Sequence, residues 1–164
     1  MINRYFYKST INEFVQDSLE TIFGKLSLHD EGDTAATQKY AWAEEITVLQ
    51  ELLHPWKDEY AEIIFEYSIP RLGKRIDAVL LLRNIVFILE FKVGEQHYLQ
   101  SDMEQVMDYA LDLKNFHLDS HHRTIVPILV ATEAKAYTTQ LAFSVYDDCI
   151  YNPILSNIEQ LQQI

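Results

Sequence analysis

An α/β fold, a three-layer α/β/α sandwich around a central mixed sheet, is the architecture this sequence predicts, and three observations carry it. Periodicities of helix and strand type follow one another in the order helix, strand, strand, strand, helix, strand. Two adjacent strand-like runs, residues 75–82 and 85–93, are apolar at successive positions and therefore on both faces, which demands helical cover above and below. With 48% apolar residues, the 164-residue chain carries enough side chains to fill such a core.

The elements follow in order. Residues 1–23 place Tyr5, Phe6, Tyr7, Ile11, Phe14, Leu19, Ile22 and Phe23 among polar pairs, predicting a short extended segment and then a helix from about Thr10. Residues 27–37 are polar with Gly32 at their centre and read as a loop. From Thr37 the period is helical: Trp42, Glu45, Leu49, Leu52 and Leu53 share a face with Ile46 near its edge, and His54-Pro55 should end the run. Residues 60–68 carry Ile63, Ile64, Phe65 and Tyr67 and read as a strand closed by a turn at 69–73. The two central runs are joined by Arg83-Asn84, which predicts an antiparallel hairpin. Residues 100–116 repeat Met103, Val106, Met107, Ala110, Leu111 and Leu113 at helical spacing. Residues 125–131 form a buried strand whose Pro127 predicts an edge or a strand start. A short strand at 141–146 and a helix-like end at 154–164 complete the reading. It divides the chain into an N-terminal helical extension and loop (1–36), a core (37–146) and a C-terminal segment (147–164) that is expected to lead into a further domain.

Composition removes several classes of function. Uncharged apolar runs such as residues 85–89 fall far short of the roughly 20 residues a membrane helix needs, and the start lacks signal-peptide character, so a cytoplasmic protein without membrane contact is expected. A single cysteine, Cys149, excludes an internal disulfide and a Cys-rich zinc site, and Asp147 and Asp148 beside it disfavour a thiolate. A formal charge of −12 opposes a broad nucleic-acid surface, although Arg71, Lys74 and Arg75 gather local positive charge just before Asp77.

Charge inside the central hairpin points to chemistry. Asp77 opens one apolar run, and Glu90 and Lys92 close the next. Residues i and i+2 of a strand share a side, so Glu90 and Lys92 project together while Phe91 enters the opposite face. Twelve residues separate Asp77 from Glu90, a span that a tight hairpin folds back so that both carboxylates meet near one end. Two such groups suit a hard cation, and a lysine beside them can orient or deprotonate water or offset phosphate charge. Ordinary solvated strand ends are the competing reading of each half taken alone. Glu45 adds a third carboxylate in an apolar helical stripe, expensive unless a cation or donor meets it, with Glu44 as the alternative. Gln105 and Tyr109 share a helical face and are aimed at the same sheet edge. Asp108 and Asp112 read as solvated. His117, His121 and His122 around Asp119 offer a competing zinc cluster, but they fall in a predicted loop without a fourth ligand on a regular element. His97 is nearer the carboxylates and offers a substrate contact, with an exposed loop residue as the simpler reading.

In this order and on these elements, the residues resemble the PD-(D/E)XK nuclease superfamily, RecB-like branch. Ile76-Asp77 is similar to the first half of the signature, with isoleucine in place of the usual proline, and Glu90-Phe91-Lys92 to the second. Glu45 resembles the glutamate of the first core helix, and Gln105-Val-Met-Asp-Tyr109 the Gln-x-x-x-Tyr motif. The resemblance covers residues 37–131. It implies a restriction-endonuclease-like core and metal-dependent hydrolysis of DNA. Asp77, Glu90, the Phe91 carbonyl and Glu45 would hold Mg²⁺ or Mn²⁺, Lys92 would position or activate water, and Gln105 and Tyr109 would support them. Residues 66–77 and 110–117 also look like the N-terminal region of bacterial proteins that join such a domain to a superfamily 1-like helicase or ATPase domain, which implies DNA and a motor domain as partners. Nothing resembles Gly-x-x-x-x-Gly-Lys-Ser/Thr, so the chain itself is not expected to hydrolyse a nucleotide. A catalytically inactive nuclease-like domain for DNA positioning or protein docking is the alternative, favoured by the acidity. A purely structural domain would scatter Glu45, Asp77, Glu90 and Lys92 in space.

Overall fold

Thr10 shows how local chemistry starts the fold. Its Oγ1 accepts from the Glu13 backbone N–H at 3.3 Å while Glu13 Oε2 accepts from the Thr10 N–H at 3.2 Å, a reciprocal cap that ends strand β1 (Tyr7–Thr10) and begins helix α1 (Ile11–Gln16). Replacing Thr10 with alanine is expected to cost about 1 kcal/mol, measurable as a lower urea midpoint with an unchanged m-value. The structure, a computed structural model, describes residues 4–30, 36–69, 73–146 and 148–164. Helices α2 (Leu19–Leu28) and α3 (Ala36–Leu53) follow, then β2 (Ala61–Ser68), β3 (Arg75–Leu82), β4 (Ile85–Lys92), α4 (Gln100–Phe116), β5 (Thr124–Ala131), β6 (Ile154–Ser156) and α5 (Ile158–Leu161).

The six strands form one mixed sheet in the order β1-β2-β3-β4-β5-β6. The first four are antiparallel, and β4, β5 and β6 run parallel. The parallel step from β4 to β5 needs a crossover, which α4 supplies. Alternation along β4 separates two cores. Phe87, Leu89 and Phe91 join Phe14, Trp42, Ile46 and Leu49 beneath α1, α2 and α3, whereas Val86 and Ile88 join Val106, Ala110 and Leu113 beneath α4. Helices thus cover both faces of the sheet, as the apolar central runs require. Among the described residues no helix is long and apolar enough to cross a membrane.

Several expectations change. The N-terminal helix is broken into two because Asp17 is extended, at ψ 142°, and Ser18 caps α2 by accepting from Thr21 N–H. The predicted loop at 27–37 starts later, since α2 runs to Leu28; residues 31–35 lie outside the described ones, as do residues 70–72 of the predicted turn. Pro127 sits in neither an edge strand nor a strand start. Ile125 directs its N–H to Cys149 and its carbonyl to Tyr151, so Pro127, two residues on, turns its donorless nitrogen to the same side. There pairing lapses between the Ile125–Ile150 bridge and the start of β6, and no ladder bond is lost. Residues 141–146 form only an isolated bridge through Phe143 to Tyr151, and the expected terminal helix begins four residues late because residues 154–156 pair with β5 as the edge strand β6.

Candidate metal centre

The centre forms where the hairpin opens. β3 and β4 pair from Leu82↔Ile85 to Ala78↔Leu89 and then part. Past that point Asp77 Oδ2 accepts from the Phe91 backbone N–H at 2.8 Å, so a side chain replaces the ladder partner. The Asp77 and Glu90 carboxyls lie close enough for the charge of Glu90 to act on Asp77. Lys92 Nζ donates to Glu90 Oε1 and to Gln105 Oε1, both at 3.0 Å, and stands 3.6 Å from Asp102 Oδ1. Gln105 Nε2 in turn donates to the Tyr109 hydroxyl at 2.6 Å. Asp102, Gln105 and Tyr109 lie on successive turns of α4, which lays one polar stripe beside the strand residues.

Glu45 reaches this end of the sheet from the other layer. It is only 3% exposed on the inward face of α3, as helical period predicts, and its Oε2 has no hydrogen-bond partner among the described residues. Glu90 is 4% exposed and its Oε2 is likewise without one. Glu45 and Glu90 act on each other electrostatically although α3 and α4 cover opposite faces.

Electrostatics follow from burial. Burial, then the charges of Glu66, Glu90 and Glu44, push the Glu45 carboxyl up to about 8. Asp77 retains some surface as a residue, yet its carboxyl is enclosed; burial and the neighbouring Glu90 and Glu45 raise it well above the ordinary range against the Phe91 hydrogen bond. Glu90 is also raised by burial, with Lys92 pulling the other way. Burial depresses the Lys92 ammonium, but Glu90, Asp102 and Asp77 outweigh it and the net shift is upward. Burial and the Glu90 charge push the Tyr109 phenol up to about 12.

Hydrogen bonds thus connect Glu90, Lys92, Gln105 and Tyr109, with Asp77 bonded to the Phe91 backbone and Glu45 acting on Glu90 electrostatically. Among the described residues, no group of three or more His, Cys, Asp or Glu side chains closes to metal-ligand spacing, at the predicted histidine cluster or here. His117 Nδ1 instead pairs with Ser120 Oγ at 2.9 Å. Nothing matches the chain among family models, curated proteins or solved structures.

The donor chemistry fits a hard divalent cation. Three carboxyls have raised proton affinity, and two of them carry buried oxygens without hydrogen-bond partners among the described residues, a charge that a proton or a cation would neutralise. Residues that the sequence argument missed complete the surroundings. Asp102 was signalled by its place three residues before Gln105, and Glu66 by its charge between the apolar strand run Ile63-Ile64-Phe65 and Tyr67. Arg75, expected to offer free positive charge, is taken up by Glu66 Oε2 at 3.3 Å and lies over the Phe6 ring at 4.7 Å; Arg71 is outside the described residues.

Proposed function

We propose that this chain is a metal-dependent DNA phosphodiesterase domain with a restriction-endonuclease-like core of the PD-(D/E)XK kind, working beside a helicase or ATPase domain. One observation carries the reading: at the point where β3 and β4 part, Asp77 and Glu90 come from separate strands into electrostatic contact with Lys92 bonded to Glu90, backed by Glu45, whose buried Oε2 has no hydrogen-bond partner among the described residues. Asp77, Glu90, the Phe91 carbonyl and Glu45 would hold Mg²⁺ or Mn²⁺. When bound, such an ion polarises phosphate oxygens and lowers the pKa of a coordinated water.

The protein groups have distinct parts. Lys92, held beside Glu90, would position or activate the attacking water and offset charge developing on the phosphate. Gln105 holds the ammonium by accepting from it, and Tyr109 holds Gln105. Asp102 draws the lysine toward α4 and shares its charge.

A second reading, an inactive scaffold of the same fold that positions DNA or docks a protein, is favoured by the formal charge of −12. Calorimetric titration with Mn²⁺ separates the two. The nuclease reading expects a saturable site that Asp77→Ala weakens by more than about 100-fold, beyond the loss typical of outer-shell partners. It also expects Mn²⁺-dependent cleavage of labelled single- or double-stranded DNA. Wild-type protein without a Mn²⁺ site and without cleavage is the scaffold.

A further inference from the structure

We infer that Glu66 is a positioning residue, a strut tying α3, which carries Glu45, to β3, which carries Asp77; the inference rests on the reading of the carboxylate centre as a cation site. Glu66 is 1% exposed in the middle of β2. Its Oε1 accepts from Trp42 Nε1 at 2.7 Å and from Gln38 Nε2 at 3.1 Å, and its Oε2 faces Arg75 Nε at 3.3 Å. Gln38, Trp42 and Glu45 stand at i, i+4 and i+7 on one stripe of α3, so Glu66 grips the two turns that lead to Glu45. Arg75 stands two residues before Asp77 on the neighbouring strand. One carboxylate therefore joins the two elements that deliver the centre's most separated acids.

The backbone is bent to achieve this. Glu66 has φ +52°, a left-handed conformation that is costly for a residue with a Cβ and rare within a strand. Regular alternation would send Glu66 toward α4 with Ile64, which packs in that core. Instead Phe65 lies in the α3-side core and Tyr67 in the α4-side core, with Glu66 turned to Trp42 between them. The paired strand changes face at the matching place, since Ile76 belongs to the α4 side and Ala78 to the α3 side. Both strands turn over at the Glu66 and Asp77 level, where β3 also leaves β4. A residue needed only to fill the core would satisfy β2 with an apolar side chain and no left-handed turn.

Glu66→Ala, Glu66→Gln and Trp42→Phe test the strut by Mn²⁺ calorimetry, amide hydrogen exchange and thermal unfolding together. Glu66→Ala is expected to weaken Mn²⁺ binding by about 10–100-fold, as losing an outer-shell partner does, and to accelerate exchange over residues 37–45. Glu66→Gln, which keeps an acceptor for the indole but loses the counter-charge to Arg75, should lose less, and Trp42→Phe should reproduce part of the loss with every carboxylate intact. Glu66→Gln and Trp42→Phe carry the test if Glu66→Ala does not fold. A lower unfolding temperature with unchanged Mn²⁺ affinity, or lower affinity with wild-type exchange across residues 37–45, overturns the inference. If wild-type protein binds no Mn²⁺, the cation reading falls; faster exchange in the variants confined to residues 37–45 then still supports the strut, and wild-type exchange there overturns it.

Discussion

Alanine at Lys92 is expected to slow Mn²⁺-dependent DNA cleavage by about 10²–10³-fold while the protein stays folded, the usual cost of removing one preorganised charge from a reacting oxyanion. Lys92 is held at two points, Glu90 Oε1 and Gln105 Oε1, both at 3.0 Å, so its ammonium is placed before substrate arrives. The fold should survive because Lys92 keeps part of its surface and Glu90, its partner lost, neutralises by taking up a proton. Single-turnover cleavage of labelled DNA measures the effect, and circular dichroism checks the fold. A rate within about threefold of wild type in a folded variant would remove Lys92 from the reaction.

Metal-free protein is expected to lose stability as pH rises from about 4.5 to about 8, by several kcal/mol in all. The unfolded chain releases the Glu45 proton near 4.5, whereas the folded chain keeps it to about 8. Between those values the native state binds a proton that the unfolded state has lost, so the slope of unfolding free energy against pH is negative. Below the window both states are protonated and the full stability is present; above it both are ionised and the loss is complete. Asp77 and Glu90 are raised as well and steepen the same slope. Mn²⁺ should flatten the profile by replacing protons with metal charge, and Glu45→Gln should remove part of the slope and stabilise metal-free protein at pH 8. Thermal unfolding from pH 5 to 8.5, in chelator and in Mn²⁺, reads both effects. A flat profile in chelator would mean that the carboxyls are not held in the low-dielectric cluster described above.

The hairpin, α3 and α4 were legible because each announces itself within a few residues. The i, i+2 relation set Glu90 and Lys92 on the α4 side and Phe91 on the other. A 3.6-residue period turned Glu45 inward and aligned Gln105 with Tyr109. β1 and β6 were not legible as sheet strands, since four and three residues respectively carry too short a pattern and depend on long-range pairing with β2 and β5. Glu66 escaped for a related reason: strand alternation presumes one backbone conformation, and its left-handed φ breaks the rule on which the reading depends.

By itself, then, the sequence determined which way each charged side chain faces relative to its own helix or strand, because facing follows from a short local period. Only the tertiary structure decided which of them meet. The parting of β3 from β4 gave the Phe91 N–H to Asp77, and the turn at Glu66 joined α3 to β3 through Trp42 and Arg75. Distances between elements come from packing and strand divergence summed over the whole sheet, and no local repeat encodes them.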